Sequence, residues 1–185
     1  LGVNALSGTT GGSNNIAIGT NSLTSLDNVS NNIAIGQSSM DANTTGTPNI
    51  AIGSDSLGAG ITASNCIAIG HNALLNNLAS NNVAIGPRAL DANVGGGFNT
   101  ACGTDALGTN VSSNDSSAFG YNSLALATGG SNNAFGARYV ATYLSGPQAI
   151  GLEVNNAKVS PAVLSTGVSL AGSPPVKILR LQGTG

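Results

Sequence analysis

The chain has very little charge and very few aromatic residues. Of its 185 residues only 6% are charged and 3% aromatic; tryptophan is absent, and there is one histidine and a pair of cysteines. Soluble domains ordinarily carry roughly 25% charged residues. The five basic residues (Arg88, Arg138, Lys158, Lys177, Arg180) are offset by seven acidic ones, giving a net charge of −2. That leaves no electrostatic footprint for nucleic acid. No apolar run approaches the roughly 18 residues of a membrane helix, so no membrane insertion is expected. Nor does a charged segment lead into an apolar stretch, as it would in a signal peptide. The opening LGVNAL is the tail of a phrase repeated throughout the chain, which reads as a piece of a longer protein.

Reactive groups are equally scarce. His71 has no neighbouring Cys or carboxylate cluster of the kind a metal site requires, and reads as a surface-loop residue. A single histidine gives no Ser-His-acid set, and no phosphate-binding GxxxxGK[ST] occurs. No catalytic residue, cofactor or metal site is therefore expected, and the chain reads as a non-enzyme. Cys66 and Cys102 fall in different columns two repeats apart, a rise of roughly 9.6 Å in a stacked solenoid. That exceeds disulfide reach, so both are expected as free thiols, and the redox compartment stays open. GGGFNTACGTD superficially looks like a calcium-binding nonapeptide, but the nine-residue period is missing. Asp27, Asp41, Asp55, Asp91, Asp105 and Asp115 are read as turn residues that cap backbone amides.

What the sequence does contain is one phrase, written again and again. SNNIAIGTNSL is followed by SNNIAIGQSSM, PNIAIGSDSL, NCIAIGHNAL, NNVAIGPRAL, NTACGTDAL, SSAFGYNSL and NNAFGARYV. The phrase glycines are Gly2, Gly19, Gly36, Gly53, Gly70, Gly86, Gly103, Gly120, Gly136 and Gly151, spaced by 15 to 17 residues. Alanine stands two positions before each from Gly19 onward (Ala17, Ala34, Ala51, Ala68, Ala84, Ala101, Ala118, Ala134, Ala149). Four positions after stand Leu6, Leu23, Met40, Leu57, Leu74, Leu90, Leu107, Leu124 and Val140. A period near 17 without helical spacing indicates an all-β parallel solenoid, or β-roll, with one phrase per coil.

Local chemistry agrees with this. IAI is β-branched, too short for a helix, and bounded by turn formers. Glycine after it supplies a corner. The expected coil has two strands of about five residues and two turns. About nine such coils would make a rod of roughly 43 Å from Gly2 to Gly151. Alternation along the strand sends Ala17, Ala34, Ala51, Ala68 and Ala84 to one face and their neighbours to the other. A narrow interior suits the alanines, with Leu23, Leu57, Leu74, Leu90 and Leu107 filling the wider end. Ile16, Ile18, Ile33, Ile35, Ile50, Ile52, Ile67, Ile69, Val83 and Ile85 would then form an outer apolar stripe, extended by Phe119 and Phe135. A stripe this long reads as an interface between copies of the chain. The opposite face assignment is also compatible with the sequence. Thr100, Ser117, Asn133 and Gln148 enter the stripe further on, and suit a symmetry axis better than a private core. Asn14/Asn15, Asn31/Asn32 and Asn81/Asn82 open strands at corners, where stacking would align them into ladders. The sequon spellings at Asn28, Asn43, Asn110 and Asn114 are expected by chance in so Asn- and Ser-rich a chain.

NNIAIGTNSL resembles the NSVAIG-type repeat in the head of trimeric autotransporter adhesins, a left-handed parallel β-roll. With its 17-residue period it is closer to the NNTAIGYNAL repeats of phage and virus tail-fibre or appendage proteins and related bacterial surface proteins. The resemblance covers residues 1–151. It implies a homotrimeric stalk or head, extracellular on a virion or cell surface, that joins flanking fibre modules and serves attachment. It carries over no catalytic residue.

Residues 152–185 depart from the phrase and hold Glu153, Lys158, Lys177 and Arg180. They read as a neck or cap with short strands near 158–164 and 176–181, broken at Pro174-Pro175. Contact with a host-surface glycan or protein is expected around Tyr121, Arg138, Tyr139 and Tyr143, since recognition hot spots favour Tyr and Arg. Two other function classes fit a β-solenoid: an ice-binding protein, against which the scattered threonines count, and a self-assembling filament or sheath subunit.

Overall fold

The computed structural model describes residues 2–8, 11–25, 27–127 and 131–136, with the backbone of three further short strands. Nine strands form one parallel sheet in chain order: β1 (Ile16–Ile18), β2 (Ile33–Ile35), β3 (Asn49–Ile52), β4 (Cys66–Ile69), β5 (Val83–Ile85), β6 (Thr100–Cys102), β7 (Ser117–Phe119), β8 (Asn133–Phe135) and β9 (Ile150–Leu152). Each pairs with the next at the register of the phrase, Ala17 opposite Ala34 and Ala34 opposite Ala51. The result is an all-β parallel solenoid, as expected, of about seven turns, slightly fewer than the nine coils the repeat suggests. Where a repeat is one residue short, Ile67 still pairs with Val83 and Ala68 with Ala84. The loop absorbs the deletion and the ladder keeps its register.

The coil is built more economically than two strands and two turns. Only the phrase triplet, or a quartet in β3 and β4, is a strand. The facing side is a turn segment whose backbone alternates in hand. Asp55 and Leu57 both have positive φ (56° and 50°), as do Asn72 and Leu74 (58° and 53°) and Asp105 and Leu107 (57° and 52°). The N–H groups of each such pair point in opposite directions along the rod, and the residue between them donates within its own coil. The Asp55 N–H donates to the carbonyl of Gln37 one coil back, and the Leu57 N–H to the carbonyl of Ala73 one coil on. A ladder of inter-coil hydrogen bonds thus replaces the expected second strand. Leucine disfavours this region, and its complete burial offsets the strain, since a buried leucine is worth roughly 1.5–3 kcal/mol.

The core consists of the alanine column and the leucine column. Ala34, Ala51, Ala68, Ala84, Ala101, Ala118 and Ala134 have no exposed surface, and neither do Leu23, Met40, Leu57, Leu74, Leu90 and Leu124. Residues just before those leucines (Ser22, Ser39, Ser56, Ala73, Ala89, Ala106) are also buried. Small side chains on both walls let the backbones approach closely and leave the leucines to fill the remaining space.

The other half of the interior is asparagine. Asn32, Asn49, Asn82 and Asn99, each just before the phrase triplet, are buried. Asn49 accepts the Cys66 N–H at 2.9 Å through Oδ1 and donates through Nδ2 to the Ala63 carbonyl at 2.7 Å. Asn99 does the same for the Ser116 N–H and the Ser113 carbonyl. One amide thereby satisfies two backbone groups at a corner that cannot hold a regular rung. A second buried column follows the leucines: Asn43 closes a turn onto both N–H and C=O of Gly46, and Asn93 onto those of Gly96. Asn110 likewise accepts the Ser113 N–H.

Beyond the roll, Leu164–Thr166 and Lys177–Leu179 (β10 and β11) form a two-stranded antiparallel sheet. The first begins where the expected strand near 158–164 ends, and the second lies inside the expected 176–181.

Candidate assembly surface

Because the alanines point inward, their strand neighbours point outward. Ile16 and Ile18 are each 47% exposed, and Ile52, Ile85, Phe119 and Phe135 are exposed as well. Ile33, Ile35, Ile50, Ile67, Ile69 and Val83 are half-buried by their own neighbours along the sheet. The outcome is one outward face, two side chains wide, running from Ile16 to Phe135. At its C-terminal end Phe119 and Phe135 stack with ring centroids 5.1 Å apart and planes 3° from parallel. Thr100, Ser117 and Asn133 occupy its first column as half-exposed residues. Gln148 lies outside the described residues.

A second apolar column follows the buried asparagines. Ile61, Leu78, Val94 and Val111 are 41–49% exposed on successive coils. The Leu78 N–H donates to the Val94 carbonyl and the Val94 N–H to that of Val111. Sequence reasoning passed over this column because its N-terminal positions are Asp27 and Thr44 and the phrase wording does not reach it. The signal was the spacing from Ile61 to Val111.

The remaining candidates are dispersed. Tyr121 is exposed, whereas Arg138, Tyr139 and Tyr143 lie outside the described residues. His71 is exposed, with Nδ1 3.3 Å from the Ser54 carbonyl. Cys66 takes an asparagine slot in the interior and is free; burial pushes its thiol pKa up. Cys102, also free, stands on the outward face between Ile85 and Phe119. Among the described residues no three His, Cys, Asp or Glu side chains gather as a metal site would need, and no helix is long and apolar enough to cross a membrane. Asn43 and Asn110, two of the four sequon asparagines, are wholly buried, so neither can carry a glycan in the folded chain.

The aspartates sit in the turn ladder. Arg88 holds Asp105 of the next coil through two bonds, Nε to Oδ1 at 2.6 Å and Nη2 to Oδ2 at 2.7 Å. Asp41 and Asp91 have raised pKa values, first because of partial burial and further because of the charges on Asp55 and Asp105 respectively.

Compared with known proteins, the chain matches no family model, no curated sequence and no solved structure.

Proposed function

We propose that this chain is a segment of a homotrimeric extracellular attachment fibre, of the tail-fibre or surface-adhesin type, in which it serves as a rigid spacer. The observation that carries this reading is the outward strand face from Ile16 to Phe135. A single roll exposes it to water along its whole length, and apolar surface of that continuity is normally covered by a partner. Three copies with their strand faces toward a common axis would cover it. Polar Thr100, Ser117 and Asn133 can hydrogen-bond around such an axis. Contacts that close a ring use two different patches of each subunit, and the column from Ile61 to Val111 supplies a second apolar patch.

A fibre segment needs no catalytic group, and the scarcity of reactive side chains agrees with that role. Ice binding is less well supported, because the outward strand columns are mostly isoleucine, valine and phenylalanine, with Thr100 their one threonine among the described residues. Surface contact, where this segment makes it, belongs near the exposed Tyr121. Light scattering on the folded chain tests the reading. A trimer mass that persists on dilution is expected, and a soluble monomer at micromolar concentration would overturn it.

A further inference from the structure

The turn ladder contains the same three-coil arrangement twice, fifty residues apart, the first copy carrying Ser38, Ala59, Leu75 and Asn76 where the second has Arg88, Thr109, Ala125 and Leu126. In the first, Asp41 is followed one coil on by Asp55 and Gly58, and two coils on by Asn72 and Leu75. In the second, Asp91 is followed by Asp105 and Gly108, then by Asn122 and Ala125. The backbone rungs correspond: the Ala59 N–H donates to the Leu75 carbonyl at 2.8 Å, and the Thr109 N–H to that of Ala125 at 3.1 Å. Each glycine lies beneath the carboxylate of the preceding coil, Oδ1 of Asp41 or Asp91 standing 3.8 or 3.6 Å from where a β-carbon would be.

The side chain at the third coil makes the difference. Leu75 lays Cδ1 over Gly58, 3.2 Å from the same hypothetical β-carbon, and Gly58 is buried. Ala125 is too short to do this. No side chain of the following coil covers Gly108, which is partly exposed. A cavity of about 410 Å³ remains, lined by Asp91, Asp105, Thr109, Asn122, Ala125 and Leu126 around that glycine. Its chemistry is two-sided. Ala125 and the exposed Leu126 supply an apolar wall. Facing them are two carboxylates, of which Asp105 is engaged by Arg88. Asp91 takes backbone amide bonds at Ala92 and at its own residue. Counting Arg88, the group carries one net negative charge.

We propose that this cavity binds a primary ammonium group on an aliphatic stem, the ammonium seated on Asp91 and Asn122 and the stem against Ala125 and Leu126. A lysine side chain of a partner protein and a free diamine share that chemistry. A cation there relieves the crowding of like charge between Asp91 and Asp105, whereas an anion meets it. The inference does not depend on the trimer, because every group named belongs to one roll.

The test is an NMR titration of the intact ¹⁵N-labelled chain with cadaverine and, separately, with a lysine blocked at its amino and carboxyl ends. Saturable shifts at the Gly108, Thr109, Asn122 and Leu126 amides are expected with both probes. Tighter binding of the blocked lysine assigns the site to a protein partner, and tighter binding of cadaverine to a free amine. Asp91→Asn should weaken binding about tenfold or more. Ala125→Leu fills the cavity as Leu75 fills its counterpart, and should abolish binding with the fold kept. Absence of saturable shifts at millimolar amine overturns the proposal. So does binding that survives Asp91→Asn, or shifts produced equally by methyl glucoside.

Discussion

The carbonyl oxygen of Gly53 lies 2.4 Å from the point where a β-carbon on Gly36 would stand. The same relationship joins Gly53 to Gly70 and Gly103 to Gly120, so the phrase glycines stack directly on one another. Each also has φ near +135°, a region closed to other residues. Gly36→Ala therefore meets strain of about 1–3 kcal/mol from the dihedral alone, with a backbone overlap in addition. It should lower the denaturation midpoint sharply. Gly95→Ala is the control, since nothing lies within 4 Å of its added carbon, and it should be nearly silent.

The alanine column gives a test of the interior. Ala51 and Ala68 are wholly buried, and enlarging either to leucine should cost ~1–3 kcal/mol by overpacking. The same change at exposed Gln37, one residue past the corner, should have little effect. Leu57→Ala removes the filler of the wider end and should cost ~2–5 kcal/mol. Chemical denaturation of the four variants measures all of these. Equal effects at Ala51 and Gln37 would contradict the packing described above.

Asn82 accepts the Asn99 N–H at 2.9 Å and donates to the carbonyls of Gly96 at 2.8 Å and Ala79 at 3.3 Å. Asn82→Leu has similar volume but leaves the Asn99 N–H buried and unpaired, at ~1–3 kcal/mol, while Asn93 and Asn77 still donate to the Gly96 and Ala79 carbonyls. Amide hydrogen exchange should show the Asn99 N–H losing protection in this variant. Unchanged exchange there would mean that the corner is held by other contacts.

Much of the fold was legible because the phrase repeats. Its period sets the coil, the small alanine sets the inner face, and glycine marks the corner. The leucine column was readable as core, although its left-handed backbone was not. Nothing in the letters distinguishes a leucine on a strand from one in an alternating turn, so a second strand was the natural expectation. The buried asparagines were misleading in a similar way. Asn reads as a surface turn former, and only the stacked geometry shows Asn43, Asn93 and Asn110 turned inward onto their own loops. The cavity over Gly108 was invisible for another reason. It depends on Ala125 standing where Leu75 stands fifty residues earlier, a difference within a column and not a motif.

Stability should respond to acid through Asp41 and Asp91. Both carboxyls bind protons more tightly in the folded chain, chiefly because burial disfavours their charged form. The penalty is fully present above the raised folded values. It is relieved as pH falls through them towards the ordinary carboxylate range, so these two groups make the roll more stable on mild acidification. Asp41→Asn and Asp91→Asn should each be stabilising near neutrality, and the double variant should flatten this part of the profile. Melting temperatures between pH 7 and 4 measure the effect. A wild-type profile that the double variant reproduces unchanged would show that the two carboxyls do not contribute.

Cys102 offers the most direct measurement of assembly through the strand face. It projects from that face between Ile85 and Phe119, while Cys66 is enclosed in the roll. If three strand faces surround one axis, three Cys102 thiols lie close together across it. A short bis-maleimide applied to the native protein should then link two chains at Cys102, with a yield that does not fall on dilution. Cys102→Ser should abolish the product, and Cys66→Ser should leave it unchanged. A Cys102 that takes up a monofunctional maleimide freely but yields no cross-linked chains would place the strand face away from any axis and contradict the proposed trimer.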